Sequence, residues 1–314
     1  MATGRKAIFA AMLANGGIAV AKFVGYLITG SGSMLAESVH SVADTSNQGL
    51  LLVGQWRARK EADQLHPFGY ARSRYFYSFV VALVLFTLGS LFAIYEGIHK
   101  IREPEALTSP GIAIGVLAVA IVLETFSFRT AIVESRPLKG NASWWQFIRN
   151  AKTPELPVVL LEDAGALFGL LLALGGVGLT ILFGDPLWDG IGTVLIGVLL
   201  GVIAVILALE TKSLLIGEGV SRAHEARILS LLVDDSRIER VIHMKTQYLG
   251  PEELLVAAKV AITPGLDIED VARAIDEAES RVRAAVPVAR MIYLEPDLYR
   301  EGIDRVGDHR SAGE

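Results

Sequence analysis

The chain has no cysteine and few charged residues for its length. Without thiols it cannot form disulfides or thiolate metal sites, so any metal must be held by nitrogen and oxygen ligands. Charged residues make up 20% of its 314 residues, the formal net charge is −5, and no block rich in Lys and Arg is present. A nucleic-acid partner is therefore not expected.

Apolar residues, in contrast, are abundant: they make up 52% of the chain, and the mean hydropathy is +0.46. A bilayer core about 30 Å thick takes roughly 20 helical residues, and six apolar segments reach that length. They lie near residues 7–29, 33–56, 75–99, 111–133, 157–183 and 188–209. This pattern predicts a polytopic α-helical membrane protein with six transmembrane helices within residues 1–212.

The short connections between these segments differ in charge. Most of their Lys and Arg residues follow the second and fourth segments, on the side of the N-terminus. Cytoplasmic loops are enriched in these residues, so both termini are predicted to be cytoplasmic. The N-terminus lacks a short apolar region with a small-residue cleavage site. We therefore expect the first segment to be retained, and the protein to be a multi-pass protein of a prokaryotic plasma membrane.

Residues 213–298 have the pattern of a small α+β domain. Helical periodicity is followed by two alternating segments joined by a turn at Gly250 and Pro251, then by an amphipathic helix and a final strand. The order helix, strand, strand, helix, strand predicts a cytoplasmic ferredoxin-like domain. Residues 299–314 are predicted to form a disordered tail.

Within the second apolar segment, residues 34–48 read MLAESVHSVADTSNQ. Here Glu37, His40, Asp44 and Asn47 are spaced by three or four positions, so on a helix they form one polar stripe. Ionisable groups at membrane depth cost ~2.5 to 3.5 kcal/mol each, and they normally face a cavity or one another. The stripe is therefore a candidate functional site.

A second acidic position lies in the fifth segment. At 1.5 Å per residue, Asp44 lies roughly 16 Å from the outer end of its helix, and Asp163 lies roughly 10 Å from the cytoplasmic end. His40, Asp44 and Asp163 are therefore predicted to meet near the midplane, where they suit Zn²⁺ and also Mn²⁺, Fe²⁺ or Co²⁺. Protonation releases such a metal, so one site can carry either a cation or protons. The alternative is that His40 and Asp44 merely hydrogen-bond between helices or pair with Lys22.

Several segments in order resemble the cation diffusion facilitator family of divalent-metal/proton antiporters. They are GSGSMLAESVHSVAD, EADQLHPFGYARSR, LLEDAGALFGLLLALGG, GDPLWDGIGTVLIG and KSLLIGEG. In that family two ligands four residues apart on the second span and two on the fifth build a tetrahedral transport site. The resemblance implies that His40 and Asp44 are the first pair and that Asp163 is the second member of the other.

The first member of the fifth-span pair falls at Val159, which cannot bind a metal. In this respect the chain resembles the subgroup that contains the mitochondrial and nuclear-associated zinc transporter, where an LLED segment replaces the usual ligand pair. Either the site has three protein ligands plus water, or Glu162 substitutes. Glu162 is displaced about 100° around the helix from Asp163.

Two accessory sites found in some relatives are also represented. After the second span, Asp63 and His66 match metal ligands but Tyr70 occupies the third position; the alternative is that HPFGY forms a structural turn. In the C-terminal domain His243 is present, but Tyr293 stands where a histidine is expected. That site is expected to be lost, which leaves dimerisation as the role of the domain.

The resulting prediction is a homodimeric antiporter that exports a divalent transition metal, Zn²⁺ first, in exchange for protons. It is not expected to be an enzyme or to hold a prosthetic group. Alternatives are an exporter of Mn²⁺, Fe²⁺ or Co²⁺, and a partner subunit without transport activity, which Val159 would explain. An intramembrane metalloenzyme is disfavoured because the chain has neither a His-Glu-xx-His segment nor a Gly-x-Gly-Asp pattern.

Overall fold

The computed structural model describes the backbone of residues 2–104, 106–107 and 109–301, and within these ranges the side chains from Gly16 onward. The chain divides into two compact units, residues 1–61 with 73–212, and residues 62–72 with 213–314. The loop formed by residues 62–72 thus groups with the second unit. The tail predicted over residues 299–314 lies mostly outside the described residues.

The first unit is built from helices joined by short connections. They are α1 (Ala2–Thr29), α2 (Gly32–Ala58), α3 (Ser73–Val84), α4 (Phe92–Arg102), α5 (Pro110–Lys139), α6 (Trp144–Asn150), α7 (Glu155–Phe183) and α8 (Leu187–Ile216). A π-helical segment, Leu85–Leu91, joins α3 to α4, so that residues 73–102 form one helical span.

The long helices coincide with the predicted apolar segments, and the polytopic helical architecture is confirmed. Within the described residues, four spans are long and apolar enough to cross a membrane: residues 73–102, α5, α7 and α8. In α1 a shorter apolar stretch, Gly16–Thr29, is described. Although α2 is long enough, its polar residues lower its hydropathy. Four of the six predicted spans therefore meet the criterion of length and composition.

The second unit has the predicted order of elements. They are α9 (Arg222–Leu232), β1 (Ile238–Gly250), β2 (Glu253–Ile262), α10 (Ile268–Ala285) and β3 (Met291–Asp297). The sheet has the order β1-β2-β3, with β1 antiparallel and β3 parallel to β2. Asp267 caps α10 by accepting a hydrogen bond from Asp270 N, and the helix buries Ala274, Ala278 and Val282. The α+β prediction is confirmed.

Helix α8 fixes the start of α2. The carboxylate of Asp189, which is 2% exposed, accepts hydrogen bonds from Ser31 Oγ at 2.8 Å, from Gly32 N at 2.8 Å and from the Ser33 hydroxyl. Ser31 in turn caps α2 by accepting from Met34 N. Asp189 therefore anchors the helix that carries the polar stripe.

Glycines allow α8 to pack directly on the span of residues 73–102. A Cβ atom added at Gly197 would lie 2.6 Å from Ile94 Cγ1 and 2.7 Å from Ile94 N. One added at Gly190 would lie 3.0 Å from the Ile101 side chain and 3.2 Å from its backbone N. Small residues permit such close approach of helix backbones in membranes.

Gly197→Ala is expected to destabilise the helical unit by about 1 to 3 kcal/mol, because the new methyl group collides with the backbone of Ile94. Gly178→Ala is the matched control, since its Cβ meets nothing within 4 Å and alanine is favoured over glycine in a helix by about 1 kcal/mol. Thermal unfolding of the purified proteins in detergent measures the difference. Equal midpoints for the two variants would contradict the expectation.

Candidate metal centre

The polar stripe of α2 lies inside the helical unit. Its members Glu37, His40, Asp44 and Asn47, and Ser41 beside them, are each at most 7% exposed. The helix is enclosed because it packs against α1, α3 and α7. Polar groups in such an apolar interior must be satisfied by one another or by a bound cation.

His40 and Asp44 lie side by side on consecutive turns of α2. His40 is fully buried, and its Nδ1 is 3.4 Å from Asp44 Oδ1. Neither ring nitrogen of His40, nor Asp44 Oδ1, makes a hydrogen bond within the described residues. Most buried polar atoms in proteins have a partner. These three atoms therefore lack the hydrogen bonds that buried polar atoms normally make, as expected of atoms that bind a ligand.

Glu162 of α7 faces the stripe. Asn47 Nδ2 donates a hydrogen bond to Glu162 Oε1 at 2.6 Å, and the carboxyl groups of Glu162 and Asp44 lie within hydrogen-bonding reach of one another. Glu162 is 4% exposed. The structure thus adds a second carboxyl group to the His40 and Asp44 pair.

Asp163 points toward a different neighbour. Its Oδ2 accepts a hydrogen bond from Ser127 Oγ of α5 at 3.0 Å. Consecutive residues of a helix are about 100° apart, so Glu162 can face α2 while Asp163 faces α5. Val159, one turn before Asp163, packs against the apolar core and supplies no ligand atom.

The structure therefore brings together part of the predicted ligand set. His40 contacts Asp44, and Asp44 in turn contacts Glu162, whereas Asp163 is held by α5. Across the described residues, no three His, Asp or Glu side chains lie close enough together to hold a metal ion. The four-residue ligand set of His40, Asp44, Asp163 and Glu162 stays a prediction.

Two contacts of this site, that of Asn47 with Glu162 and that of Ser127 with Asp163, were not predicted from the sequence. Asn47 belongs to the polar stripe, but its spacing does not reveal that it would bind Glu162. Ser127 is a small hydroxyl residue in an apolar helix, and such a residue alone is only weak evidence of a functional position. It lies three positions after Glu124, which is 8% exposed, so the two together mark a polar face on α5.

Lys22 of α1 pairs with another residue of the stripe. Its Nζ lies 3.0 Å from Glu37 Oε2 and donates to Ser41 Oγ at 2.8 Å. The alternative in which Lys22 forms an ion pair with Asp44 is not found among the described contacts. The His40 and Asp44 pair remains separate from this ion pair.

The loop formed by residues 62–72 holds the other predicted ligands. Asp63 and His66 are adjacent, with His66 Nδ1 3.5 Å from Asp63 Oδ1. Asp63 also accepts hydrogen bonds from His66 N at 2.9 Å and from the Tyr70 hydroxyl at 2.7 Å, and the rings of His66 and Tyr70 lie 4.3 Å apart. These contacts account for the loop as a turn, and metal binding there stays a prediction.

In the C-terminal unit a lysine lies beside His243, at the position of the second accessory site, which the sequence predicts to be lost. Lys259 is paired with His243 across β1 and β2, and its Nζ lies 3.3 Å from Glu295 Oε1 and 2.7 Å from Asp297 Oδ2. The hydrogen bonds that the Lys259 ammonium donates to Asp297 and Glu295 raise the pKa of Lys259. A charged ammonium beside Glu295 disfavours a metal cation at this position.

The fold and the buried groups define a class: a polytopic membrane protein whose helices enclose a histidine and several carboxylates, followed by a small α+β domain. Residues 8–216 match the model of the cation efflux transmembrane domain family, and the chain belongs to that family. The predicted family resemblance is confirmed.

Three curated relatives illustrate the similarity. The chain is 31% identical over 258 residues to the mitochondrial proton-coupled zinc antiporter SLC30A9 of Mus musculus, covering 81% of this chain and 45% of the relative. It is 33% identical to the Xenopus laevis protein of the same name, covering 81% and 46%. It is 29% identical to metal tolerance protein C4 of Arabidopsis thaliana, covering 82% and 56%. The chain spans about half the length of these curated relatives.

Among solved structures, a MamM CTD in a nickel form is similar to part of the chain. The TM-score is 0.24 and the identity 14%, with 26% of this chain and 100% of that chain covered.

Val159→His is expected to tighten zinc binding by about tenfold, the scale of effects seen around metal ligands. The new imidazole would lie one turn before Asp163 on the same face of α7 and could complete a tetrahedral site. Isothermal titration of the protein in detergent measures the Kd. Val159→Thr, which keeps the β-branched shape without an imidazole, is the control, and an unchanged Kd for the histidine variant would exclude position 159 from the metal centre.

Proposed function

We propose that this protein exports a divalent transition metal, Zn²⁺ first, from the cytoplasm in exchange for protons. One observation carries the proposal: His40 and Asp44 lie side by side inside a bundle of apolar helices, and neither ring nitrogen of His40 nor Asp44 Oδ1 has a hydrogen-bond partner among the described residues. Glu162 adds a further carboxyl group beside Asp44. A group of this composition is costly to bury unless something charged binds it.

The chemistry of these side chains supports exchange. Neutral imidazole and ionised carboxylates bind a divalent cation, whereas their protonated forms release it. Metal and protons therefore compete for the same atoms. In one half of the transport cycle the site holds the metal cation, and in the other half it holds protons. Alternating exposure of the site to the two sides of the membrane follows if α2 and α7 move relative to their neighbours.

In the proposed site His40, Asp44 and Asp163 bind the cation. Glu162 is proposed as the further ligand, which its position beside Asp44 supports. Asp163 contributes once its carboxylate is free of the hydrogen bond from Ser127. Asp63 and His66 are proposed as an accessory position in the loop of residues 62–72.

Zinc is proposed because zinc antiporters are among the named relatives. Imidazole and carboxylate ligands also suit Mn²⁺, Fe²⁺ and Co²⁺, so a panel of these ions in a flux assay decides the substrate.

We further propose a cell-membrane location with both ends of the chain in the cytoplasm, as the distribution of Lys and Arg indicates. Dimerisation is proposed for the unit that contains residues 213–298.

Asp163→Asn is expected to abolish zinc-driven proton flux in proteoliposomes. The amide keeps the shape of the side chain but removes the negative charge that a metal ligand needs. A pH-sensitive dye inside the vesicles and zinc outside measure the flux. Asp185→Asn is the matched control, because Asp185 is exposed and its carboxylate accepts a hydrogen bond from Leu187 N. Undiminished zinc flux in the Asp163 variant would overturn the ligand assignment.

A partner subunit without transport activity is the second candidate. Val159 favours it, because the usual fourth ligand is missing, and so does the engagement of Asp163 with Ser127. In that case the purified protein alone would produce no flux with any metal of the panel, whereas flux by the wild-type protein would exclude this candidate.

A further inference from the structure

Lys22 is a fully buried cation at the edge of the proposed transport site. Its side chain is 0% exposed, and its Nζ contacts Glu37 Oε2 at 3.0 Å and Ser41 Oγ at 2.8 Å. Among the described lysines and arginines, Lys22 and Lys100 are the buried ones. Lys100 donates to the carbonyl of Gly30 at 2.7 Å, at the turn before α2. Of these two, Lys22 is therefore the buried ammonium that contacts side chains of the polar stripe region of α2.

Its partner Glu37 shares a helix face with the proposed ligands. Glu37 lies one turn before His40 on α2, and its Oε1 makes no hydrogen bond within the described residues. A Cβ added at Gly169 of α7 would lie 2.5 Å from that oxygen. Gly169 is two helical turns after Glu162 on the same face of α7. The ion pair thus lies at the same α2 and α7 interface as the proposed metal centre.

The ammonium group of Lys22 also acts electrostatically on residues other than Glu37. It is close enough to interact electrostatically with His40 and Asp44 on α2 and with Glu124 on α5. A cavity of about 1030 Å³ between α1 and α5 is lined by Lys22 and by Ser127, the residue that holds Asp163. Lys22 therefore interacts with the α2 half of the proposed site and lines the same cavity as Ser127.

We propose that Lys22 is a resident cation of the transport site, and that the Lys22 and Glu37 pair sets how tightly the site holds a divalent metal. The ammonium neutralises Glu37 and at the same time repels a dication bound at His40 and Asp44. This inference rests on the proposed function, and it assigns Lys22 and Glu37 a positioning and affinity-setting role without making either of them a metal ligand.

The two members of the pair act in opposite directions. Without Lys22 the site loses a repulsive positive charge, so a dication binds more tightly. Without the Glu37 charge the ammonium is unopposed, and a dication binds more weakly. Since charges interact strongly in a low-dielectric interior, each change is expected to alter the Kd by roughly tenfold. Removing both charges returns the site close to its original balance.

The test is the Kd for Zn²⁺ of the full chain in detergent at one fixed pH, measured by competition with a fluorescent chelator. Lys22→Met is expected to lower the Kd about tenfold and Glu37→Gln to raise it about tenfold, and the double variant should lie within about threefold of wild type. Changes of the same sign in both single variants, or no change in either, would overturn the proposal.

Two further variants separate charge from structure. Lys22→Arg keeps the charge and should bind zinc like wild type. Lys100→Met removes a buried lysine at the α1 and α2 turn and should leave the Kd unchanged; an effect equal to that of Lys22→Met would count against a local role. If Lys22→Met does not fold, the comparison of Glu37→Gln with the double variant decides: recovery of the affinity supports the proposal, and continued weak binding overturns it.

Failure of the proposed function has a different signature. If the wild-type protein and Asp163→Asn bind zinc equally or not at all, the metal centre itself is wrong. If wild type binds zinc and Asp163→Asn does not, the measured Kd describes binding at the proposed metal centre. The variants of Lys22 and Glu37 then test whether Lys22 sets the affinity of that centre.

Discussion

Buried charge in a bundle of apolar helices is the constraint on which the rest of this structure depends. Every ionisable group at that depth needs a partner, because neither lipid nor hydrocarbon side chains can solvate it. Lys22 meets Glu37, Asn47 meets Glu162, and Ser127 meets Asp163. The ring of His40 makes no hydrogen bond within the described residues. The interior thus combines satisfied polar groups with ligand atoms suited to a cation.

Close packing of the helices holds these partners at bonding distance. Asp189, in the first turn of α8, anchors the first residues of α2, the helix that carries the polar stripe. Gly169 lets α7 approach Glu37, and Gly197 lets α8 approach Ile94. Where backbones approach this closely, side chains have few alternative positions. Stability and site geometry consequently rest on the same contacts.

Much of the architecture could be predicted because it depends on residues near one another in the chain. Long apolar runs identified the helical spans, and the alternating segments around Gly250 identified β1 and β2. The prediction of α2 succeeded despite its polar residues, since their spacing places them on one face. No comparable pattern of nearby residues predicts two other features. These are the π-helical segment, Leu85–Leu91, and the grouping of residues 62–72 with the second unit.

The sequence by itself determined the family, the helical spans, the order of elements in the C-terminal unit, and the adjacency of His40 and Asp44, which follows from their spacing on one helix. Only the tertiary structure decided that Lys22 pairs with Glu37, and that Glu162 faces α2 while Asp163 faces α5. A rotation of α7 by about 100° would exchange those two carboxylates. That rotation is set by packing against α2 and α5, and spacing within one helix carries no information about it.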